Sequence, residues 1–274
     1  GQHRARPIRL SPLGKEVPAV KALGWVLFGA FLLYMLLPML APVAYSFSRL
    51  WLGVLPEGFT LEWYARILRD PRYLEAAFLS LRVALLAVAL NVVVGVPMAY
   101  VVHLWRGRVG EGLGRLLQVL PLLVPPLVVG LGFLVAFNRP PFALSGTLGI
   151  VVFGHAALGF PFFYRTVYAG LTGLEVRLLM EAARSCGAGL WPRLRHVLLP
   201  NLLPAVLSGS LVVFAISMGE FEVTSMVAGF GTITLPLLLF QSLREDFRAA
   251  SAVASFLLYA TLLALVGLSL VRRR

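Results

Sequence analysis

Apolar residues dominate six stretches of this chain, and charged side chains separate them. None of the six contains Asp, Glu, Lys or Arg, and each is 23–27 residues long. A helix needs about 20 apolar residues to cross roughly 30 Å of hydrocarbon, and lipid offers backbone groups no partner outside the helix. The pattern predicts an all-α, polytopic membrane protein with six transmembrane helices, in the windows 22–48, 83–105, 116–138, 140–164, 196–219 and 249–271.

A seventh charge-free window, 223–243, differs because small residues at 228–232 and Pro236 interrupt it. We predict a turn followed by a short apolar helix, rather than a further span. The chain would then consist of a cytoplasmic N-terminal segment, 1–21, and a six-helix membrane domain, 22–274.

The charges support this topology. With the N-terminus in the cytoplasm, the inside segments 1–21, 106–115, 171–200 and 272–274 hold fifteen Lys or Arg and four acids. The outside segments 49–76, 139 and 220–248 hold seven basic residues and eight acids. Basic residues concentrate on the cytoplasmic side of membrane proteins, so both termini are predicted to be cytoplasmic. Arg82 and Arg165 are expected at or just inside helix ends, where they can snorkel.

Composition and missing motifs narrow the function. The net charge of +12 is explained by membrane-flanking residues, which argues against nucleic acid as a partner. The two lysines, Lys15 and Lys21, lie in no phosphate-binding loop. One cysteine excludes an intrachain disulfide, and no metal or catalytic motif is present. We therefore expect no cofactor or metal on this chain and no enzymatic site of its own.

The segment 171–200, here called the elbow, is polar and lies between the fourth and fifth windows. Its pattern predicts a helix that ends at Gly187 and a second short helix that starts near Pro192 and is closed by Pro200. Arg177, Glu181 and Arg184 can pair on one face. The opposite, apolar stripe is expected to consist of Leu174, Leu178, Leu179, Ala182 and Cys186.

The elbow resembles the EAA signature of ABC importer permeases, EAA-x3-G-x9-I-x-L-P. It matches at Glu181-Ala182-Ala183, Gly187 and Val197-x-Leu199-Pro200, with Val in place of Ile. A second stretch, SMGEFEVTSMVAGFGTITLPLLLFQSLREDF, resembles the polyamine, ferric-iron, thiamine and phosphonate branch of these permeases, and residues 59–81 do so too. The resemblance covers most of residues 59–274.

This resemblance implies the type I ABC importer permease fold in the inner membrane. The implied partners are ABC ATPase subunits that consume ATP and Mg²⁺, a second permease (more in keeping with a heterodimer), an extracytoplasmic solute-binding protein and the lipid bilayer. The residues it assigns to ATPase coupling are Glu181, Ala182, Ala183, Arg184, Gly187, Val197, Leu199 and Pro200. The alternative for Glu181 is a solvated charge paired with Arg177 or Arg184.

The end of the fifth window supplies candidates for the translocation pathway or gate: Ser217, Glu220, Phe221 and Thr224. Irregular backbone at membrane depth survives only where protein or water covers it. Glu220 and Glu222 could attract a cationic solute, or could be ordinary outer-surface acids. His155 is interpreted as a hydrogen-bonded packing residue rather than a proton relay.

Two other functions remain open at this point. An ion-coupled secondary transporter is disfavoured because the six windows hold no carboxylate. A membrane-embedded enzyme is disfavoured because no nucleophile or ligand cluster is recognisable.

Overall fold

The computed structural model describes residues 18–51, 53, 56–105, 112, 114, 116–119 and 123–272. Most of the predicted N-terminal segment 1–21, and residues 106–111, lie outside the described residues. The helices are α1 Pro18–Ser46, α2 Glu62–Arg69, α3 Pro71–Leu104, α4 Pro126–Phe137, α5 Leu148–Gly173, α6 Val176–Ser185, α7 Leu190–Arg193, α8 Leu199–Gly219, α9 Glu222–Val227, α10 Leu235–Ser242 and α11 Phe247–Arg272, with a π-helical turn at Leu194–Leu198. Two short antiparallel strands, β1 Ser48–Leu50 and β2 Glu57–Phe59, form a hairpin after α1.

Among the described residues, four helices are long and apolar enough to cross a membrane: Lys21–Ser46, Pro71–Leu104, Leu148–Gly173 and Leu190–Gly219. They contain the fifth predicted window and overlap most of the first, second and fourth, of which the fourth begins eight residues before its helix. The third window overlaps a shorter apolar helix, Pro126–Phe137. The sixth overlaps the apolar stretch Phe247–Leu263, which is the first part of α11. The all-α prediction is confirmed. The count of six crossings stays a prediction.

The interior is built where α3, α5 and α8 meet. Phe163, Tyr164 and Leu202 are fully buried there. Glycines allow this close approach, as helix interfaces in membranes commonly require: a Cβ built on Gly95 would lie 2.7 Å from Phe163 Cδ1. In contrast, α1 exposes most of its apolar side chains and is linked to α11 at its end, where Ser255 donates a hydrogen bond to Ser46.

The window 223–243 is divided as predicted. A turn lies between α9 and α10, and α10 is a short apolar helix of 8 residues. The short helix α9 in front of the turn was not predicted. Ser80 Oγ accepts the backbone N–H of Leu235 at 2.8 Å, which ties the start of α10 to α3.

Arg82 is not at a helix end, so this expectation was wrong. It lies eleven residues after Pro71 within α3, and Arg165 is likewise inside α5. One charge-free window began just after Arg82 and another ended just before Arg165, whereas the helices continue through both arginines because the backbone hydrogen bonds do not depend on side-chain polarity. A helix of 34 residues is about 50 Å long, so α3 reaches from the α9–α10 turn at one end to the elbow at the other.

Candidate functional site

The first half of the elbow is the helix α6, and it ends as the sequence predicted. Gly187 has φ +83°, a conformation that residues with a Cβ rarely adopt. The N–H groups of Gly187 and Ala188 bond back to Arg184 and Ala183 carbonyls, which closes the helix. The turn at Gly187 therefore sets the angle between α6 and α7.

The predicted apolar stripe of α6 was wrong in three of its five residues, since Leu174 packs against the core and Leu179 is partly buried. Val176 and Met180 are the buried side chains, and they pack on Leu198 and Leu202. Leu178, Ala182 and Cys186 are exposed. Periodicity identified two possible faces, but the direction in which the chain leaves α5 decides which one meets the bundle.

Arg177 Nε donates a hydrogen bond of 2.8 Å to Glu181 Oε1 on the exposed face of α6. This bond raises the pKa of Arg177. Arg184 is exposed and makes no ion pair with any described residue. The i,i+4 pairing of Glu181 is therefore confirmed, and the same side chain remains accessible from outside.

The second half of the elbow does not end at Pro200. Leu190–Gly219 is one continuous helix of 30 residues, because the π-helical turn absorbs the proline. The N–H of Leu199 bonds to Leu194 O, five residues back. A π turn widens the helix just where the Pro200 ring would otherwise press on the preceding turn. The elbow is thus joined to the membrane helix α8 without a flexible break.

The tip of the elbow, residues 186–191, carries apolar side chains that nothing in the described chain covers. Leu190 is exposed there and 67% of the Trp191 surface is accessible, and Leu178 near the start of α6 is exposed too. Of the predicted coupling residues, Ala183 and Val197 are partly buried, and the exposed ones are Glu181, Ala182, Arg184, Gly187, Leu199 and Pro200. Exposed apolar side chains on an otherwise polar segment are typical of a protein–protein contact surface.

A second cluster lies at the far end of α8. Ser217, Glu220 and Thr224 meet around His155 of α5, and all four side chains are buried. His155 Nδ1 is 2.7 Å from Ser217 Oγ, and its Nε2 is 2.8 Å from Thr224 Oγ1 and 3.1 Å from Glu220 Oε2. We call these four residues the buried cluster.

Hydrogen-bond capacity assigns a proton in this cluster. The Thr224 hydroxyl donates to Glu220 Oε2 at 2.6 Å. Its oxygen can then only accept from the imidazole, so His155 Nε2 carries a hydrogen. Glu220 also accepts the backbone N–H groups of Val223 and Thr224, at 2.6 and 3.1 Å. The carboxylate therefore accepts free N–H groups of the first turn of α9 and, through His155, ties this turn to α5.

The structure separates the four pathway candidates. Ser217, Glu220 and Thr224 face each other and His155, while Phe221 packs against Phe240 with ring centroids 4.7 Å apart. With 7% of its surface accessible, Glu220 is not an outer-surface acid. Glu222 is exposed, and its carboxylate accepts the N–H of Leu127 at the start of α4. A role of these residues in the pathway stays a prediction.

Sequence reasoning missed the part that His155 plays. Ser217, Glu220 and Thr224 are spaced by three and four residues, which placed them together. His155 is 62 residues before Ser217, and no local spacing could have assigned it to them. The charge-free windows also passed over a buried carboxylate, because Glu220 directly follows the last residue of α8. Among the described residues, no group of three His, Cys, Asp or Glu could hold a metal ion.

Known proteins resemble this chain over nearly its whole length. It is 32% identical over 265 residues to the 2-aminoethylphosphonate transport system permease protein PhnV of Salmonella typhimurium strain LT2, covering 96% of this chain and 97% of PhnV. It is 30% identical over 258 residues to the spermidine/putrescine transport system permease protein PotC of Escherichia coli strain K12, covering 92% and 96%.

Solved structures share the fold. A chain of a bacterial ABC transporter involved in the import of the acidic polysaccharide alginate superposes with a TM-score of 0.66 at 17% identity, covering 93% of this chain and 96% of that chain. The MetNI methionine ABC transporter gives 0.59 at 17% identity, covering 73% and 94%.

The family model described as the binding-protein-dependent transport system inner membrane component matches residues 91–273. That match includes both the elbow and the buried cluster. This chain therefore belongs to the family of binding-protein-dependent transport system inner membrane components, and it is a permease subunit of an ABC importer.

Proposed function

We propose that this permease forms half of a translocation pore in the inner membrane and that the elbow is its contact with a separate ATPase subunit. The observation that carries the proposal is the exposed tip of the elbow. Leu190 and Trp191 are accessible there, and Arg184 and Arg195, also exposed, lie on the same elbow. A partner that buries this apolar surface would remove it from water, and acidic side chains of the partner could pair with the two arginines.

The connection between elbow and membrane supports a mechanical role. The continuous helix through Leu190–Gly219 links the tip to the buried cluster, and a helix of 30 residues spans about 45 Å. Gly187 joins α6 to this rod at a conformation that only glycine adopts easily. A displacement of the tip by the ATPase would therefore move α8 as a whole, rather than bend a loop.

The other half of the pore is proposed to be a second, different permease chain, and an extracytoplasmic binding protein is proposed to deliver the solute. ATP and Mg²⁺ would be bound by the ATPase subunits. The transport systems of PhnV and PotC are named for 2-aminoethylphosphonate and for spermidine and putrescine. These compounds share an amino group on a short flexible chain, so we propose a small amine-bearing solute for this permease.

Copurification with the cognate ATPase tests the elbow. Gly187→Asp and Glu181→Lys are expected to weaken ATPase association, or to leave ATP hydrolysis that no longer drives uptake in reconstituted vesicles. Arg69→Gln, at the end of α2 and far from the elbow, is the control and should behave as wild type. Normal association and normal coupled uptake in both elbow variants would overturn the proposal.

A further inference from the structure

A cavity lies at the opposite end of α3 from the elbow. Its volume is about 670 Å³, within the range of small-molecule sites. The first three turns of α3 form one wall, and the segment 230–241 forms the other. Its apolar lining consists of Ala76, Phe78, Leu79, Phe230, Ile233 and Leu238.

Two buried hydrogen bonds hold the walls of this cavity together. Ser80 Oγ accepts the N–H of Leu235, and Tyr73 Oη lies 3.0 Å from Ser242 Oγ. Tyr73, Leu235 and Leu238 pack in the same apolar cluster behind the wall. The cavity is therefore shaped by fixed elements, and a solute would not have to order them.

The charged groups of the cavity are not equivalent. Arg72 forms a bidentate pair with Asp70, with Nη2 2.9 Å from Oδ2, and this bond lowers the pKa of Asp70. The charge of Arg72 is thus already compensated. Glu75 and Arg82 also line the cavity and are exposed, and neither makes an ion pair or hydrogen bond with any described residue.

Arg82 lies about 16 Å along α3 from Pro71 and is followed by the charge-free stretch 83–105. Ionisable residues at such positions usually face a water-filled cavity or a partner and mark a solute path. Glu75 lies seven residues earlier, on the same face of α3. The two Cα atoms are separated by about 10.5 Å along the helix axis. One unpaired anion and one unpaired cation therefore lie at opposite ends of the cavity wall that α3 forms.

We infer that this cavity is a transit site for a small zwitterionic solute, with Arg82 binding its anionic group and Glu75 its ammonium group. A dication would meet the unpaired cation Arg82 beside the one unpaired acid, Glu75, and a simple anion would leave Glu75 without a partner. A molecule with both charges satisfies both side chains at once, and the guanidinium of Arg82 can take a phosphonate or carboxylate through two N–H groups. This inference rests on the proposed function, because it concerns the solute that the pore carries.

The test measures binding to the assembled permease–ATPase complex in lipid nanodiscs, without the binding protein, so that only the pore contributes to selectivity. The probes are 2-aminoethylphosphonate as zwitterion, ethylphosphonate as its anion without the amine, and putrescine as dication. Calorimetry should show the tightest binding for 2-aminoethylphosphonate. Arg82→Gln should weaken both phosphonates by about tenfold or more, while Arg69→Gln, outside the cavity, should leave the dissociation constants unchanged.

Glu75→Gln provides the same test without altering Arg82. It should weaken 2-aminoethylphosphonate and leave ethylphosphonate unchanged, so that the preference between the two phosphonates disappears. No saturable binding, equal binding of the three probes, or an unchanged preference in Glu75→Gln would overturn the inference. If ATP hydrolysis still drives uptake, these results would reject the cavity inference and leave the elbow contact with the ATPase unaffected. Loss of ATPase association is expected only in the elbow variants.

Discussion

His155 Nε2 lies 3.1 Å from Glu220 Oε2, and both side chains are more than nine-tenths buried. This contact joins α5 to the junction of α8 and α9, so the helix that leads from the elbow ends in a hydrogen-bonded anchor rather than in a loose turn. Thr224 and Ser217 complete the anchor by bonding the imidazole on both of its nitrogens. We expect its loss to be costly for stability.

Glu220→Ala should lower the free energy of unfolding by about 3–5 kcal/mol, because it leaves His155 and Thr224 buried without their acceptor. Thermal unfolding of the purified permease in detergent would show the change. The double variant with His155→Ala should be less destabilised than the sum of the single variants. Glu245→Ala, an exposed acid after α10, is the control, with an expected effect within about 0.5 kcal/mol. Additive losses would show that the two side chains are not coupled.

Gly187→Ala should destabilise the elbow through the backbone alone. A Cβ there would meet no atom within 4 Å, but φ is +83°, and that conformation costs a residue with a Cβ roughly 1–2 kcal/mol. Gly187→Asn should cost less, since Asn tolerates this region better. Gly189→Ala is the matched control, because φ is −65° at Gly189. The measurements are ATPase association and thermal stability of each variant. If Gly189→Ala were the more damaging change, the argument from the backbone conformation of Gly187 would be wrong.

Gly154→Ala should destabilise the bundle by about 1–3 kcal/mol through overpacking. Its Cβ would lie 2.6 Å from Cγ1 of Val223, which is fully buried and cannot move aside. Gly149→Ala, one and a half turns earlier on α5, should be neutral, since its nearest atom is Thr147 Oγ1 at 3.7 Å. Both changes are Gly→Ala within α5, so only the contact with Val223 distinguishes them. Equal shifts in thermal unfolding would contradict the packing argument.

Glu181→Gln should leave the thermal stability of the isolated permease unchanged, because the Arg177–Glu181 pair is exposed and such pairs contribute little. If the carboxylate contacts the ATPase, the same variant should bind ATPase more weakly. Glu175→Gln, an exposed acid just before α6, serves as control. A drop in stability without a drop in association would assign Glu181 to the permease's own structure.

Much of this molecule could be predicted from local patterns. Four of the six charge-free windows lie on long apolar helices because hydrophobic length is a property of the segment itself. The end of α6 at Gly187 was also predictable, since a left-handed turn requires glycine. The i,i+4 pairing of Glu181 with Arg177 followed from helix geometry, and the EAA pattern led to the family before any contact was known.

Other features depended on which elements pack together. The wrong apolar stripe of α6 and the expected stop at Pro200 both came from local rules, which the packing of Val176 and Met180 and the π-helical turn overrode. His155 contacts Glu220 although 65 residues separate them in the chain. Glu75 and Arg82 could be recognised as lining a cavity only because the segment 230–241 forms its other wall. Hydrophobic length and turn chemistry act over a few residues and can be read from the sequence. Burial of a charge, the face a helix presents and the shape of a cavity arise from contacts between distant segments, so the tertiary structure alone decided them.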